Sequence, residues 1–505
     1  MSPSSVDRSD DIERLARSRF GITYLYPIQR FVVSNVLEGN PQIVVLPTGA
    51  GKSLCFQLPS LLLPGPTLVL MPLLSLLSDQ ERKLRALGLP VGLLKGGLPR
   101  EEKERLWSGL RAGRTRLVLA TPESCLSERN LAALRSCGIL HVVVDEAHCI
   151  AEWGDTFRPA YSQLGHLVQS LGVRMVSAFT ATASPPVIGR IKELVFDGGD
   201  VRVVAGSADR PGITYSVLPV LSRSHAMSVV SQTAERPMLV FCRTRSDTEV
   251  TARAIRRRRP DLPVAFYHAG LDREERAAVE TWFLPSRDGV LVTTCAFGLG
   301  VDKPDIRTVV HAGIPPSVEA YLQESGRAGR DGLPSRALLL CTQDEHALPG
   351  VLADHNLLQR YERMLDYARE DRLCRRNTLL GLIGQDPVEC AGCDVCAGSV
   401  VREPAGKREI VRFVQMHRRR FTAVQTADIL CGAPGPRAIR DFHDSVSGFA
   451  ALVSWEWEDV EVAIRALVTS GSLSIPKRGP WAGRLTVRRF DSKAEERYRF
   501  SKAGM

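Results

Sequence analysis

Between Asp11 and Ala205 the chain alternates short unbroken apolar runs with longer stretches whose apolar residues recur every three or four positions. The unbroken runs are Gln42–Leu46, Thr67–Met71, Arg116–Ala120, His141–Val144 and Arg174–Phe179. A strand without polar alternation has no face to give to water, so it needs cover on both sides, and the helical stretches supply it. That order predicts a mostly parallel sheet. The pattern then repeats, with runs at Pro237–Phe241, Val264–Tyr267, Gly289–Val292, Arg307–His311 and Arg336–Cys341. The expected class is therefore α/β, with two tandem parallel-sheet lobes, 1–206 and 207–345, joined around Ser207–Gly212. After Asp344 the strand signal stops and helical periodicity runs to Gly384, so 346–400 reads as a helical subdomain closed by cysteines. Glu403–Gly406 reads as a linker. Residues 407–490 read as helices followed by a hairpin over Leu473–Val487, and 491–505 as a charged tail.

Composition changes this picture little. The chain has 505 residues, 44% hydrophobic and 24% charged, which excludes a disordered polyelectrolyte. Its net charge of +10 suits a polyanionic partner without requiring one. Arginines far outnumber lysines, which fits phosphate contacts and coding bias equally. Leu54–Leu77 is apolar enough to suggest a membrane span, but Pro59, Pro64, Pro66 and Pro72 break it. The charged N-terminus lacks an apolar secretion segment, so no membrane association and a cytoplasmic location are expected. Eight of the twelve cysteines stand singly at apolar positions, as buried reduced thiols do.

Chemistry enters where the first run ends. Pro47-Thr48-Gly49-Ala50-Gly51-Lys52-Ser53 lies between a strand and the helical pattern that starts at Leu54. A glycine turn there aims backbone N–H groups into one concavity at the positive end of a helix, which suits a triphosphate. Thr48, Gly49 and Gly51 shape the turn, Lys52 reaches the β/γ oxygens, and Ser53 is a ligand for Mg²⁺. The strict pattern asks for Gly at 46, where Leu46 stands, and a bland glycine turn would also fit. The run at Val142–Val144 ends in Asp145 and Glu146, at the strand end where parallel sheets place ligands. Asp145 would hold Mg²⁺ and Glu146 would deprotonate the attacking water, although both could simply cap the strand.

From here the chain resembles the RecQ family of superfamily 2 helicases. Cys149-Ile150-Ala151-Glu152-Trp153-Gly154-Asp155-Thr156-Phe157-Arg158-Pro159 matches that family's hallmark segment, and its phosphate loop also reads Pro-Thr-Gly-x-Gly-Lys-Ser, without the earlier glycine. The likeness runs from Phe20 to Cys396 and more weakly to Phe490. It implies RecA-like lobes, ATP and Mg²⁺ as cofactors, an adenine-reading motif with Tyr26 and Gln29, and a coupling element at Thr180-Ala181-Thr182. Gln80 falls in a single-strand contact motif beginning at Met71-Pro72-Leu73. Tyr267–Leu271, Ala296–Lys303 and Gln323–Gly332 continue the match. Within the last, Gln323, Arg327 and Arg330 join the catalytic set. Two arginines three apart share one face of a helix start, Arg330 being the arginine finger and Arg327 its assistant. Trp153 and Phe157 would stack on bases and Arg158 would hold phosphate. The family usually carries His-Asp where this chain has Asp155-Thr156, and Arg where it has Tyr26.

Cys374, Cys390, Cys393 and Cys396 give C-x15-C-x2-C-x2-C, a four-thiolate set for a closed structural Zn²⁺ site, with an iron–sulfur cluster as the alternative. The region after Lys407 is similar to the family's winged helix. Its hairpin tip carries Lys477, Arg478 and Trp481, where the indole could wedge at a DNA fork or pack back on its own domain. Too few residues follow Phe490 for the family's further helical strand-binding (HRDC) domain. The run Arg256–Arg259 reads as a solvated helix face. The resemblance implies an ATP-dependent 3′-to-5′ DNA helicase, acting as a monomer near the nucleoid on single-stranded, forked or branched DNA. A single-strand-binding protein or repair or defence proteins would be its partners. Asp155-Thr156 keeps a second reading open, an ATP-switched DNA-binding scaffold without strong unwinding; an RNA helicase is disfavoured by the cysteines and the 153–159 segment.

Overall fold

The computed structural model describes residues 5–47, 49–153, 159–297, 303–342, 355–432 and 445–487. Thr48, the segment 154–158, residues 298–302 of the Ala296–Lys303 match and the tail 491–505 lie outside them, as do the side chains of Glu152 and Trp153.

The first lobe is a seven-stranded parallel sheet built from β1 (Gln42–Val45), β2 (Thr67–Leu70), β3 (Val91–Leu94), β4 (Leu117–Ala120), β5 (His141–Val144), β6 (Met175–Thr180) and β7 (Arg202–Ala205). Their spatial order is β3-β4-β2-β5-β6-β1-β7. Alternate residues feed two separate cores. Ile43, Val45, Leu68, Leu70, Val142 and Val144 face one; Val44, Leu46, Val69, Met71, Val143 and Phe179 face the other. This double burial is why the sequence shows unbroken apolar runs.

The second lobe has β8 (Ile213–Val220), β9 (Met238–Phe241), β10 (Val264–Tyr267), β11 (Val290–Thr293), β12 (Thr308–His311) and β13 (Ser335–Thr342), in the order β10-β11-β9-β12-β13-β8. Strands β3, β7 and β8 were not among the apolar runs. All three are sheet edges: β3 is mostly half-buried, β7 mostly exposed, and β8 alternates buried with half-buried residues. One face of this lobe shares its core with the helical subdomain and its cysteine cluster: Tyr361, Met364, Leu379, Leu380 and Cys393 pack in one cluster with Tyr215, Phe241, Leu291 and Leu339.

The C-terminal part has the element order expected of a winged helix. Helices Lys407–Met416, Ala423–Cys431 and Trp457–Thr469 precede an antiparallel pair, β14 (Leu473–Ser474) with β15 (Thr486–Val487). It docks on the second lobe, and here the reading of Arg256–Arg259 as a solvated face fails at Arg258, which is covered, while Arg256 and Arg257 stay exposed. Arg258 pairs with the buried Asp459 at 2.7 Å and Arg257 with Glu456 at 2.9 Å. Arg256 donates to the Val264 carbonyl, and Arg259 pairs with Asp261 while donating to the Ser231 carbonyl at 3.1 Å. His225 packs at a tilt against Trp455, with ring centroids 4.5 Å apart. A charged run in sequence carries no sign of an acidic partner 200 residues away.

Arg258→Ala removes the guanidinium paired with the buried Asp459 carboxylate, a change worth about 3–5 kcal/mol. Denaturant unfolding followed by tryptophan fluorescence should show that loss; a change below about 0.5 kcal/mol would mean that the pair does not hold the two parts together.

Candidate active site

Strand β1 runs into the turn that ends at the helix Lys52–Ser60. Gly49 has φ +88° and Gly51 φ +74°, a region that costs other residues strain. At Gly51 a Cβ would also stand 2.5 Å from Gln29 Nε2. Leu46 is explained here as well: its side chain is buried in the core, and its carbonyl accepts a 3.1 Å hydrogen bond from Lys52 Nζ. The turn uses the backbone at position 46, so the side chain is free to pack. Lys52 is thus parked on its own loop, within reach of any anion that enters the concavity.

Gln29 is buried, and both ends of its amide are engaged. Nε2 donates to Ala50 O at 2.9 Å and Oε1 accepts from Tyr26 N at 3.0 Å. In this conformation it ties the Tyr26 segment to the phosphate turn. Tyr26 itself is exposed, edge-on to Tyr24. Gln80 points inward. Its Nε2 donates to Ser53 Oγ at 3.3 Å, and its Oε1 accepts from Gln57 at 3.0 Å.

At the end of β5, Asp145 is buried and Glu146 adopts φ +50°, a left-handed conformation unusual outside glycine. Burial first, and the Glu146 charge second, push the Asp145 carboxyl well above the ordinary carboxylate range, with Lys52 opposing. A divalent cation at this carboxylate would reverse that penalty, so the donor set of Ser53 and Asp145 fits Mg²⁺. Glu146 Oε2 is buried, accepts no hydrogen bond from a described residue and lies 3.4 Å from His148 Nδ1. An open carboxylate oxygen of this kind can take a water.

The site continues across the cleft. His148 Nδ1 meets Thr180 Oγ1 at 3.1 Å, and Thr180 Oγ1 donates to Thr182 O at 2.9 Å. Thr182 Oγ1 then donates to the carbonyl of Glu319, at 3.4 Å, on the second lobe's helix Val318–Ser325. Ser184 donates to the Glu319 carboxylate, and Arg360 pairs with it at 3.4 Å. Burial works to raise this carboxyl, yet Arg360 and Ser184 hold it below its ordinary value. Sequence reading missed Glu319, because nothing local marks a buried acid whose partners lie 41 and 135 residues away.

The same helix carries Gln323, which lines an interlobe cavity of about 340 Å³ with His148, Arg243, Arg327 and Arg360. Arg327 and Arg330 are corrected in one respect. They occupy the turn after this helix ends at Ser325, not a helix start, and Arg327 is buried there. A glycine-rich turn with Gly329 at φ +56° cannot begin a helix.

The four cysteines do converge. Their Sγ atoms all lie within 4.8 Å of one another, a spacing that fits tetrahedral Zn–S bonds of about 2.3 Å. Cys393 Sγ accepts the Cys396 N–H at 3.3 Å. Among the nucleic-acid candidates, Lys477 and Arg478 are exposed at the hairpin tip. Trp481 is 46% exposed, its ring 6.0 Å from the Arg419 guanidinium, so it is neither free nor packed into a core. Trp153, Phe157 and Arg158 fall outside the described side chains. No helix among the described residues is long and apolar enough to cross a membrane.

Comparison with known proteins agrees with this geometry. Residues 26–190 match the DEAD/DEAH box helicase family, 222–332 the helicase conserved C-terminal domain and 352–397 the RecQ zinc-binding family. A putative ATP-dependent DNA helicase Q1 of Caenorhabditis briggsae is 30% identical over 91% of this chain and 79% of the relative. A probable ATP-dependent DNA helicase RecS of Bacillus subtilis is 39% identical over 64% and 65%, and the ATP-dependent DNA helicase RecQ of Pasteurella multocida 33% over 75% and 61%. The chain spans only 42% of the RecQ-like DNA helicase blm-1 of Caenorhabditis elegans. Among solved structures, the DUF1998 helicase MrfA bound to DNA superposes with a TM-score of 0.56, covering 96% of this chain and 63% of that one, at 18% identity. The DEAD-box helicase Mss116 bound to single-stranded RNA gives 0.55, covering 69% and 76%, at 19%. These two likenesses concern the fold.

Proposed function

The chain belongs to the RecQ family of ATP-dependent DNA helicases, and from that premise we propose that it hydrolyses ATP to move 3′ to 5′ along single-stranded DNA and to separate forked or branched duplexes. The observation that carries the proposal is the path that starts at the 3.4 Å contact of Glu146 with His148 and runs by hydrogen bonds from His148 through Thr180 and Thr182 to Glu319. It gives hydrolysis in the first lobe a physical route to the second, which a motor requires.

In this reading Lys52 leaves the Leu46 carbonyl for the β/γ oxygens of the nucleotide. Mg²⁺, held by Ser53 and Asp145, would neutralise charge between the phosphates. Glu146 accepts a proton from the attacking water, His148 holds the carboxylate in place, and Arg330 meets the charge that develops on the γ-phosphate, with Gln323 and Arg327 beside it. Tyr26 stacks on the adenine, and Gln29 joins that contact to the phosphate turn. Trp153, Phe157 and Arg158 grip the single strand, while Lys477, Arg478 and Trp481 meet the fork. We place the protein in the cytoplasm, on nucleoid DNA, as a monomer that works with single-strand-binding, repair or defence proteins.

The test is hydrolysis and unwinding measured together on forked duplexes with a 3′ or a 5′ single-stranded tail. Unwinding from the 3′ tail alone supports the motor. Hydrolysis without unwinding on either would replace it with the ATP-switched scaffold.

Zn²⁺ at Cys374, Cys390, Cys393 and Cys396 holds the helical platform. Because Cys393 sits inside the second lobe's core, Cys393→Ser should release one zinc equivalent and lower the thermal midpoint of that lobe, not merely of a peripheral finger. Elemental analysis checks the metal, and finding iron would favour the cluster alternative. An unchanged midpoint would separate the metal from the fold.

A further inference from the structure

Three backbone carbonyls of the turn that carries Arg327 and Arg330 converge on one guanidinium. Arg210 Nη1 donates to Gly326 O at 2.7 Å, and its Nη2 donates to Ala328 O at 3.1 Å and Gly329 O at 3.4 Å. Arg210 is not on the turn's own element. It belongs to the linker between β7 and β8, 116 residues earlier in the chain.

The linker is itself held from the other side. Asp209 accepts from Arg376, whose Nη1 and Nη2 also donate to Arg210 O at 3.0 Å and Ile213 O at 2.6 Å. Arg376 is almost fully buried and follows Cys374 by two residues. Gln385 closes the hold, donating to Gly206 O at 2.9 Å and accepting from Ala208 N at 2.8 Å. So the cysteine platform fixes the linker, and the linker fixes the turn. Arg210 also lines the narrow crevice where Pro47 and Thr182 of the first lobe face Gln323 and Gly326 of the second. That crevice joins the phosphate turn to the arginine turn.

Electrostatically the placement is unfavourable by itself. Burial and the neighbouring Arg330 charge both lower the Arg210 pKa. The carbonyl dipoles that converge on Arg210 offset the nearness of the second guanidinium. A guanidinium suits this task where an ammonium does not, since its planar fork can reach three acceptors of one turn at fixed angles.

We propose that Arg210 is a positioning residue for the arginine finger: by gripping Gly326, Ala328 and Gly329 it holds Arg330 where γ-phosphate charge develops, without touching the nucleotide itself. This role rests on the helicase reading above. A finger contributes in the transition state and little in the ground state, so its misplacement has a distinct signature.

The experiment uses the full chain with saturating single-stranded DNA and compares wild type, Arg210→Ala and Arg210→Lys. For each, steady-state kcat and KM for ATP are measured, with the affinities for ADP and for ADP with aluminium fluoride, a mimic of the transferring phosphoryl group. Arg210→Ala should lower kcat on the order of 10²-fold, as a displacement of about 1 Å does. The aluminium fluoride complex should weaken by a similar factor, while KM and ADP affinity stay within about threefold. Arg210→Lys, which keeps the charge and one carbonyl contact, should recover part of both losses, and it decides the matter should the alanine variant not fold. Wild-type kcat and fluoride affinity in either folded variant would overturn the proposal. A fall of kcat, ADP affinity and thermal midpoint together, without selective loss of the fluoride complex, would make Arg210 a plain structural staple and overturn it too. A wild-type chain without DNA-stimulated hydrolysis would instead remove the helicase reading on which the role rests.

Discussion

Lys52→Ala should abolish ATP hydrolysis, by a factor on the order of 10³, while leaving the fold and DNA binding intact. The size follows from what the ammonium faces. Removing a single preorganised donor from a charged transition state costs about 10²–10³-fold, and Lys52 would serve both β- and γ-oxygens. The fold should be indifferent, because Lys52 Nζ donates to Leu46 O, a bond worth about 1 kcal/mol in a half-exposed setting. Phosphate release and fluorescence anisotropy with a labelled single strand check the two halves together. Turnover near the wild-type rate would reject the phosphate-turn assignment; lost DNA binding would mean that the substitution had damaged more than the nucleotide site.

Arg330→Ala should cost still more in kcat, about 10³–10⁵-fold, with KM for ATP changed little, since a finger acts on charge that exists only during transfer. Arg327→Ala should behave differently. Arg327 is buried along the interlobe cavity beside His148 and Gln323, so truncating it should depress the thermal midpoint as well as the rate. Single-turnover hydrolysis separates chemistry from product release in both variants. If Arg330→Ala raised KM in proportion to its loss of kcat/KM, the residue would bind the ground state and could not be a finger. The double variant Arg330→Ala with Glu146→Gln offers a further check: groups that act on one transition state lose far less together than the sum of their separate losses.

Lys52 and the Asp145-Glu146 pair stand out in the sequence because their signals are local, whereas Arg330 entered only through the family resemblance. A glycine turn between an apolar strand and a helix, or a carboxylate pair at a strand end, is complete within about ten residues. The sheets were legible for a related reason, since strands covered on both faces cannot hide their apolar runs. Edge strands could: β8 alternates buried and half-buried residues along its length, and β7 is mostly exposed, so neither resembles the central strands. What remained invisible depends on pairs far apart in sequence. Glu319 meets Ser184 across 135 residues, Arg258 meets Asp459 across 201, and Arg210 meets the arginine turn across 116. Each reads in isolation as an ordinary charged surface residue. Position 46 teaches the converse: the structure accommodates this departure from the strict motif, because the turn uses its carbonyl and the core its side chain.

The pairing of the second lobe's first strand with its last also sets a timetable for synthesis. Among the described strands β8 finds its ladder partner in β13, and the face they build stays open until Tyr361, Leu379 and Cys393 arrive. At about 5–20 residues per second, a nascent β8 therefore waits roughly 10–35 s after leaving the ribosome before its core can close. The first lobe, whose strands all precede residue 206, can finish during that interval. The second lobe is accordingly the part of the nascent chain with the greater need of a chaperone, and a chain arrested after Thr342 should be captured by one while a chain arrested after Cys396 escapes.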